Sequence, residues 1–164
     1  MSHAARICEE TGELLRRSLG PDDFEAYTWA MIERGREISV SQYIGAAEWL
    51  GEWSRRVARW WSDDFDLLLT PTIAEPPPRL GTLSSASGSP DAVLDRVLGL
   101  IPFTPAYNVT GQPAISLPLH WSESGLPVGV QLVAAYGRED QLIGVASELE
   151  QTAPWIDRRP PLCA

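Results

Sequence analysis

Between Pro102 and Ala134 the chain reads PFTPAYNVTGQPAISLPLHWSESGLPVGVQLVA. Two apolar runs, Ala114 to Leu119 and Val128 to Val133, are joined by the short polar link Trp121 to Pro127. Runs of this length, bounded by Gly, Pro, Ser and Asn, read as strands. Neither alternates cleanly between apolar and polar residues. Both are therefore expected to be buried on two faces in the middle of a sheet. A chain that contains such a pair must build a layered core around it.

The rest of the sequence says what those layers are. Residues 4–19 carry Ala5, Ile7, Cys8, Leu14, Leu15 and Leu19 between charges, a weakly ordered helical pattern. Gly20-Pro21 breaks it. Pro21 suits the first turn of a second helix, with Asp22, Asp23 and Glu25 at its positive end and Phe24, Tyr27, Met31 and Ile32 on one side, ending near Gly35. Ser39 or Ser41 can cap a third helix, because its hydroxyl accepts from the free N–H groups of the next turn. Along that helix Tyr43, Ala47, Leu50, Val57 and Trp61 form a stripe that Ala46, Trp49, Trp53 and Trp60 widen. The pattern predicts a broad packing face rather than a stacking platform. Without a larger body to pack on, it would be exposed. Asp63-Asp64 is expected to end the helix.

Leu67 to Leu69 then reads as a short buried strand, stopped at Thr70-Pro71-Thr72 because Pro71 has no N–H for a ladder. Residues 74–90 are loop, with Pro76 to Pro78 and a serine-rich run. Ser89-Pro90-Asp91 starts a short helix through Leu94, Val97 and Leu98. Arg138 to Gln151 is a final amphipathic helix through Leu142, Val145, Ala146 and Leu149. The proline-rich tail is expected to pack Trp155 and Ile156 on the body. The chain thus divides into a helical part (1–63), a strand (64–73), a loop with a short helix (74–101), a strand–hairpin–helix part (102–151) and a tail (152–164), all within one domain's worth of sequence.

Composition narrows the function. A chain of 164 residues, 44% hydrophobic and 21% charged, suits a globular domain. A net charge of −9 argues against nucleic acid and anionic membranes as partners. No apolar run is long enough to span a bilayer, and the start of the sequence lacks a signal-peptide pattern, so a cytoplasmic location is expected. Cys8 and Cys163 read as free thiols. All thirteen basic residues are arginine. Chemistry that needs a lysine amine cannot be completed by these residues.

The segments Phe65-Asp66-Leu67-Leu68-Leu69-Thr70-Pro71-Thr72, Phe103-Thr104, Asn108, Gly111, Pro113-Ala114, Ile115 to Pro118 and Gly125-Leu126-Pro127-Val128-Gly129-Val130-Gln131 resemble the C-terminal part of the amidase signature family of C–N hydrolases. The resemblance spans nearly the whole chain. Among family members, it is most similar to those acting on linear or cyclic aliphatic amides, of the aminohexanoate-dimer hydrolase type. It implies an α/β fold in which a mixed central sheet carries helices on both faces. It also implies amide hydrolysis by a Ser–Ser–Lys relay in a Gly/Ser-rich segment, with backbone N–H groups as the oxyanion hole. That segment lies upstream of the part matched here.

The residues agree that the relay is not in this chain. Ser84-Ser85 and Gly88-Ser89 follow the strand–Thr–Pro–Thr element, whereas the family's serines precede it, and no lysine is present to pair with them. Only His3 and His120 could serve a Ser–His–Asp triad; His120 sits at a strand end, where a structural histidine is expected. Two histidines and two cysteines at these separations make no metal site. No catalytic residue, metal ligand or cofactor is assigned.

Binding remains. In the family, the segment equivalent to Phe103–Gly111 runs beside the cleft and shapes the acyl pocket. The resemblance implies that Thr104, Tyr107 and Asn108 lie near a ligand with Phe103 behind them. Asn108 can donate and accept at once. Thr104, preceding Pro105, is expected to be extended. The competing reading is a turn whose Asn and Thr satisfy their own backbone. Members that take polar or charged acyl groups carry an acidic residue before the Phe-Thr pair; here Leu100, Ile101 and Pro102 precede it. A buried ammonium would have no partner, so a neutral or apolar acyl group is expected. The expected partners are a small amide substrate and an N-terminal catalytic segment or a second copy. The alternative is a non-catalytic binding or regulatory remnant of the fold.

Overall fold

The structure is a computed structural model that describes residues 1–62, 65–84 and 89–158. It contains six helices and three strands among the described residues: α1 (Ser2–Leu15), α2 (Ala26–Arg36), α3 (Val40–Trp60), β1 (Leu67–Pro71), α4 (Pro90–Leu100), α5 (Pro105–Thr110), β2 (Ala114–Trp121), β3 (Pro127–Ala134) and α6 (Glu139–Thr152), with a 3-10 turn at Pro21–Asp23. They fall into two compact units, residues 1–52 with 78–99 and residues 53–77 with 100–164.

In the first unit, α1 packs on α2 around buried Ala5, Cys8 and Ile32. Arg34 pairs with Asp91, and Val93 of α4 is buried. The single helix expected from Pro21 to Gly35 is broken. The Asp23 carboxylate accepts from the Gly20 N–H at 2.9 Å and from Arg17 at 2.6 and 3.0 Å, which closes a 3-10 turn. Phe24 is then extended (φ −137°, ψ 157°), and α2 begins two residues later. A short acidic side chain that bonds its own backbone competes with helix propagation. Ser39 does cap α3. Its hydroxyl accepts from the Gln42 N–H (3.2 Å) while the Gln42 side chain accepts from the Ser39 N–H (2.8 Å). The packing face of α3 is exposed along its N-terminal half and only half-buried at Trp53, Val57 and Trp61. No residue of α3 is buried, and Trp49 is 55% exposed. In α4 the buried positions are Val93 and Leu100, not Leu98, which faces solvent.

The second unit is built on an antiparallel sheet of order β1-β3-β2. The two strands predicted at 114–119 and 128–133 pair as a hairpin, Ser116 opposite Gln131 and Leu117 opposite Val130, with a register irregularity between Leu117 and His120. β3 is central and buried from Gln131 to Ala134. β2 is an edge strand here, with Ala114, Ser116 and His120 exposed, so the two-sided burial expected of it is not met. β1 is the other edge. It runs through Pro71, opposite Val130, because an edge strand does not need that N–H. Leu69 is 65% exposed, contrary to the reading of β1 as buried.

Alternation along β3 separates two faces. One carries Leu117, Leu132 and Ala134, which form the core with Leu142 of α6; Val145, Ala146, Leu149 and Trp155 pack around it. Trp155 of the tail therefore joins the body, whereas Ile156 is exposed. Asp63-Asp64, the run Ser85–Gly88 and Cys163 lie outside the described residues.

Candidate functional site

The other face of the sheet is polar. Thr70, Gln131 and Ser116 stand side by side across β1, β3 and β2. Gln131 is 4% exposed, and its Nε2 donates to the Thr70 hydroxyl (3.0 Å) and to the Phe103 carbonyl (3.1 Å). One side chain thus ties the sheet to the Phe103–Asn108 segment. A buried amide of this kind is stable only if so satisfied. Next to it the Thr72 and Ser116 hydroxyls share a hydrogen bond of 2.6 Å. They meet over Gly129, where a Cβ would stand 2.8 Å from Thr72 Oγ1 and 2.9 Å from Ser116 Oγ. Only a glycine admits that bridge.

Phe103–Gly111 contains the short helix α5 rather than a simple turn. Thr104 is its N-cap, at φ −100° and ψ −34°, and so not extended. The Thr104 carbonyl accepts from the Tyr107 N–H at 3.3 Å, a turn bond that outweighs the usual bias of a pre-proline residue. Gly111 ends the helix in the left-handed conformation (φ 74°), its N–H donating to the Tyr107 carbonyl at 2.9 Å. This turn sets α5 against the polar face of the sheet.

Between them lies a cavity of about 310 Å³ lined by the side chains of Thr72, Thr104, Tyr107, Asn108, Gln112, Ser116 and Gln131, with Ala114 and Ile115. Thr104, Tyr107 and Asn108, the residues named from sequence, converge on it. Phe103 does not line it; its carbonyl anchors Gln131 instead. Sequence reading missed Thr72, Gln112, Ser116 and Gln131. The signal for two of them was present, because Ser116 and Gln131 are the polar interruptions of two apolar runs and face each other in register. Gln112 is buried and accepts from the Thr110 hydroxyl at 2.7 Å.

The lining has many hydrogen-bonding groups and no carboxylate, guanidinium or imidazole. Partial burial pushes the Tyr107 phenol above its ordinary value, so the pocket is neutral at physiological pH. Such a site can both donate to a carbonyl and accept from an amide N–H. It offers no partner for a charged group. His120 is exposed on β2 opposite Val128. Cys8 is buried, its Sγ accepting from Arg36 at 3.8 Å. No described helix is long and apolar enough to cross a membrane.

Comparison with known proteins agrees with this architecture. The family model Amidase matches residues 8–143. The 6-aminohexanoate-cyclic-dimer hydrolases of Pseudomonas sp. (strain NK87) and of Paenarthrobacter ureafaciens are each 42% identical over 163 residues, covering 96% of this chain and 33% of the relative. The chain thus spans about a third of the length of the curated relatives it matches. A solved 6-aminohexanoate cyclic dimer hydrolase superposes with a TM-score of 0.89 at 39% identity, over 98% of this chain and 34% of that one. A bacterial aryl acylamidase of the amidase signature family, at 22% identity and a TM-score of 0.67, shares the fold over 97% of this chain and 36% of that one. The small antiparallel sheet, its flanking helices and these relatives identify the α/β fold of the amidase signature enzymes, and the chain belongs to the amidase family.

Proposed function

We propose that this chain is the C-terminal part of an amidase that hydrolyses carboxylic amide C–N bonds, and that the neutral pocket between α5 and the sheet is one wall of its acyl site. The observation that carries the reading is the lining itself: hydroxyl and carboxamide side chains of two strands and a helix converge on one cavity without a charge. Asn108, Thr104 and Tyr107 then position a neutral acyl group, while Gln131, whose Nε2 donates to both Thr70 and Phe103, ties the segment leading into α5 to the sheet. The Ser–Ser–Lys relay comes from an upstream segment, since the thirteen basic residues here include no lysine. The apolar surface at the start of α3 supports the same reading, for Val40, Tyr43 and Ile44 are exposed side chains that a further part of the fold would bury.

The test is complementation. The chain is co-expressed with the upstream two-thirds of the Pseudomonas 6-aminohexanoate-cyclic-dimer hydrolase, and turnover of linear aliphatic amides is followed. The chain alone should neither turn over amides nor be labelled by a fluorophosphonate. The pair should do both, and Asn108→Ala should lower kcat/KM of the pair about tenfold, the loss of one or two neutral hydrogen bonds. Specific labelling with turnover by the chain alone would overturn the assignment of the relay. A stable complex without turnover would favour a non-catalytic binding remnant.

A further inference from the structure

Two buried carboxamides under α5 each keep one atom in reserve. Gln131 is 4% exposed and Gln112 6%, and both line the neutral cavity. The orientation of Gln131 is fixed by its partner. A main-chain carbonyl only accepts, so the end of the side chain that meets the Phe103 carbonyl is the NH2 group, and the same Nε2 donates to Thr70. Its Oε1 is the atom left over. In Gln112 the roles are reversed. Its Oε1 accepts from the Thr110 hydroxyl, and Nε2 with its protons is left over. Neither of these atoms has a hydrogen-bond partner among the described residues, and neither is sealed away from solvent space. Polar atoms on side chains this buried require a partner. The cavity is the space that both side chains border.

The rest of the lining does not choose between donors and acceptors. The hydroxyls of Thr104 and Tyr107 rotate and can serve either role. Thr72 and Ser116 spend a bond on each other. Asn108 is exposed. We propose that Gln131 Oε1 and Gln112 Nε2 are the specificity-determining pair of this pocket, the first accepting from an N–H of the ligand and the second donating to a carbonyl of the same amide unit. The proposal rests on the pocket being the acyl site and adds what that site demands: an N–H as well as a carbonyl. An ester supplies the carbonyl but sets a lone pair against Gln131 Oε1 and leaves it unsatisfied. A carboxylate brings a charge that nothing in the lining balances. A site built to receive an N–H rejects the analogue without it far more strongly than it senses a methylene.

The experiment titrates the full chain by calorimetry with N-methylbutanamide and methyl butanoate, which share a shape and differ in N–H against O. The amide should bind about tenfold more tightly, or better. N,N-dimethylbutanamide, which keeps the carbonyl and loses the N–H, should bind like the ester. Gln112→Met and Gln112→Glu both remove the donor, and the second keeps an acceptor for the Thr110 hydroxyl. Each should weaken amide and ester alike, by about fivefold, and leave their ratio intact. Gln131→Met should bring the ratio close to one. It also cuts the tie to Phe103, so if it does not fold, the two ligands on the unchanged chain still decide. Equal affinities of amide and ester would overturn the pair and, with Asn108→Ala weakening both, leave the acyl pocket standing. So would a ratio that persists in folded Gln131→Met, or Gln112 variants that bind like the unchanged chain. Binding of neither ligand would also overturn the pair, and the complementation with the upstream segment would then decide the acyl pocket. An amide preference that Gln131→Met abolishes, with no effect of Asn108→Ala, would keep the pair and sink the acyl-pocket reading instead.

Discussion

The two faces of the three-stranded sheet are made by the same strands and differ by one residue of offset. Leu117, Leu132 and Ala134 point to α6 and are buried with Leu142. Ser116 and Gln131 point the other way, to a cavity beneath α5, and Gly129 lies on the same face under the Thr72–Ser116 bridge. The first face is held by packing, which is non-directional and tolerates any side chain of similar volume. The second is held by a few hydrogen bonds with defined partners, and its tolerance is chemical rather than volumetric. A slip of one residue along β3 would exchange the faces, so the apolar one also sets the register on which the polar site depends.

Substitutions on each side should separate these roles. Leu132→Ala has the largest expected effect, about 3 kcal/mol of unfolding free energy in urea, because it opens a cavity in the core under α6. Gly129→Ala should cost less, about 1–2 kcal/mol, since its Cβ must push the Thr72 and Ser116 hydroxyls apart. Unlike the leucine change, it should weaken amide binding at temperatures where the protein remains folded. Equal loss of stability and binding in both variants would mean that the faces are not independent. A smaller effect is expected from pH. The Tyr107 phenol is raised by burial, so its contribution is intact below pH 10 and is lost as pH rises through the higher folded value. Thermal unfolding between pH 9 and 11 should show a decline that Tyr107→Phe removes and Leu132→Ala does not. The smallest change should come from Trp49→Gln on α3. The residue is already exposed, so stability should move by no more than about 0.5 kcal/mol, while light scattering falls. A loss of several kcal/mol would mean that the α3 stripe is covered in solution.

The sequence showed the site only in part. Thr104, Tyr107 and Asn108 could be named because their segment resembles the stretch that borders the cleft in the family, not because of any pattern of their own. Thr72, Gln112, Ser116 and Gln131 could not be joined to them. They come from three other places in the chain, and only strand pairing brings them together. Local preference also misjudged Thr104. The rule that a pre-proline residue is extended is a bias of sequence neighbours, and the cap of α5 overrode it. The same holds at Asp23, whose bonds to Gly20 and Arg17 broke a helix that spacing alone predicted. Four tryptophans (Trp49, Trp53, Trp60 and Trp61) and Tyr43 read as a packing face because apolar residues at helical spacing usually meet a core. Spacing states which face is apolar and not what covers it.

By itself, then, the sequence determined the elements that local chemistry controls. These are the hairpin strands with their Gly-Leu-Pro link, the Ser39 and Ser89 caps, the amphipathic α6, and the lack of any lysine in the 164 residues. Only the tertiary structure decided which strand is central, which face of the sheet is polar, that Gly129 lets two hydroxyls meet, and that Tyr107 lines both a neutral cavity and an aromatic one. The physical reason is range. Capping, turn formation and periodicity act over a few residues, whereas a pocket is the meeting of side chains far apart in the chain, and their distances are set by strand register and helix packing.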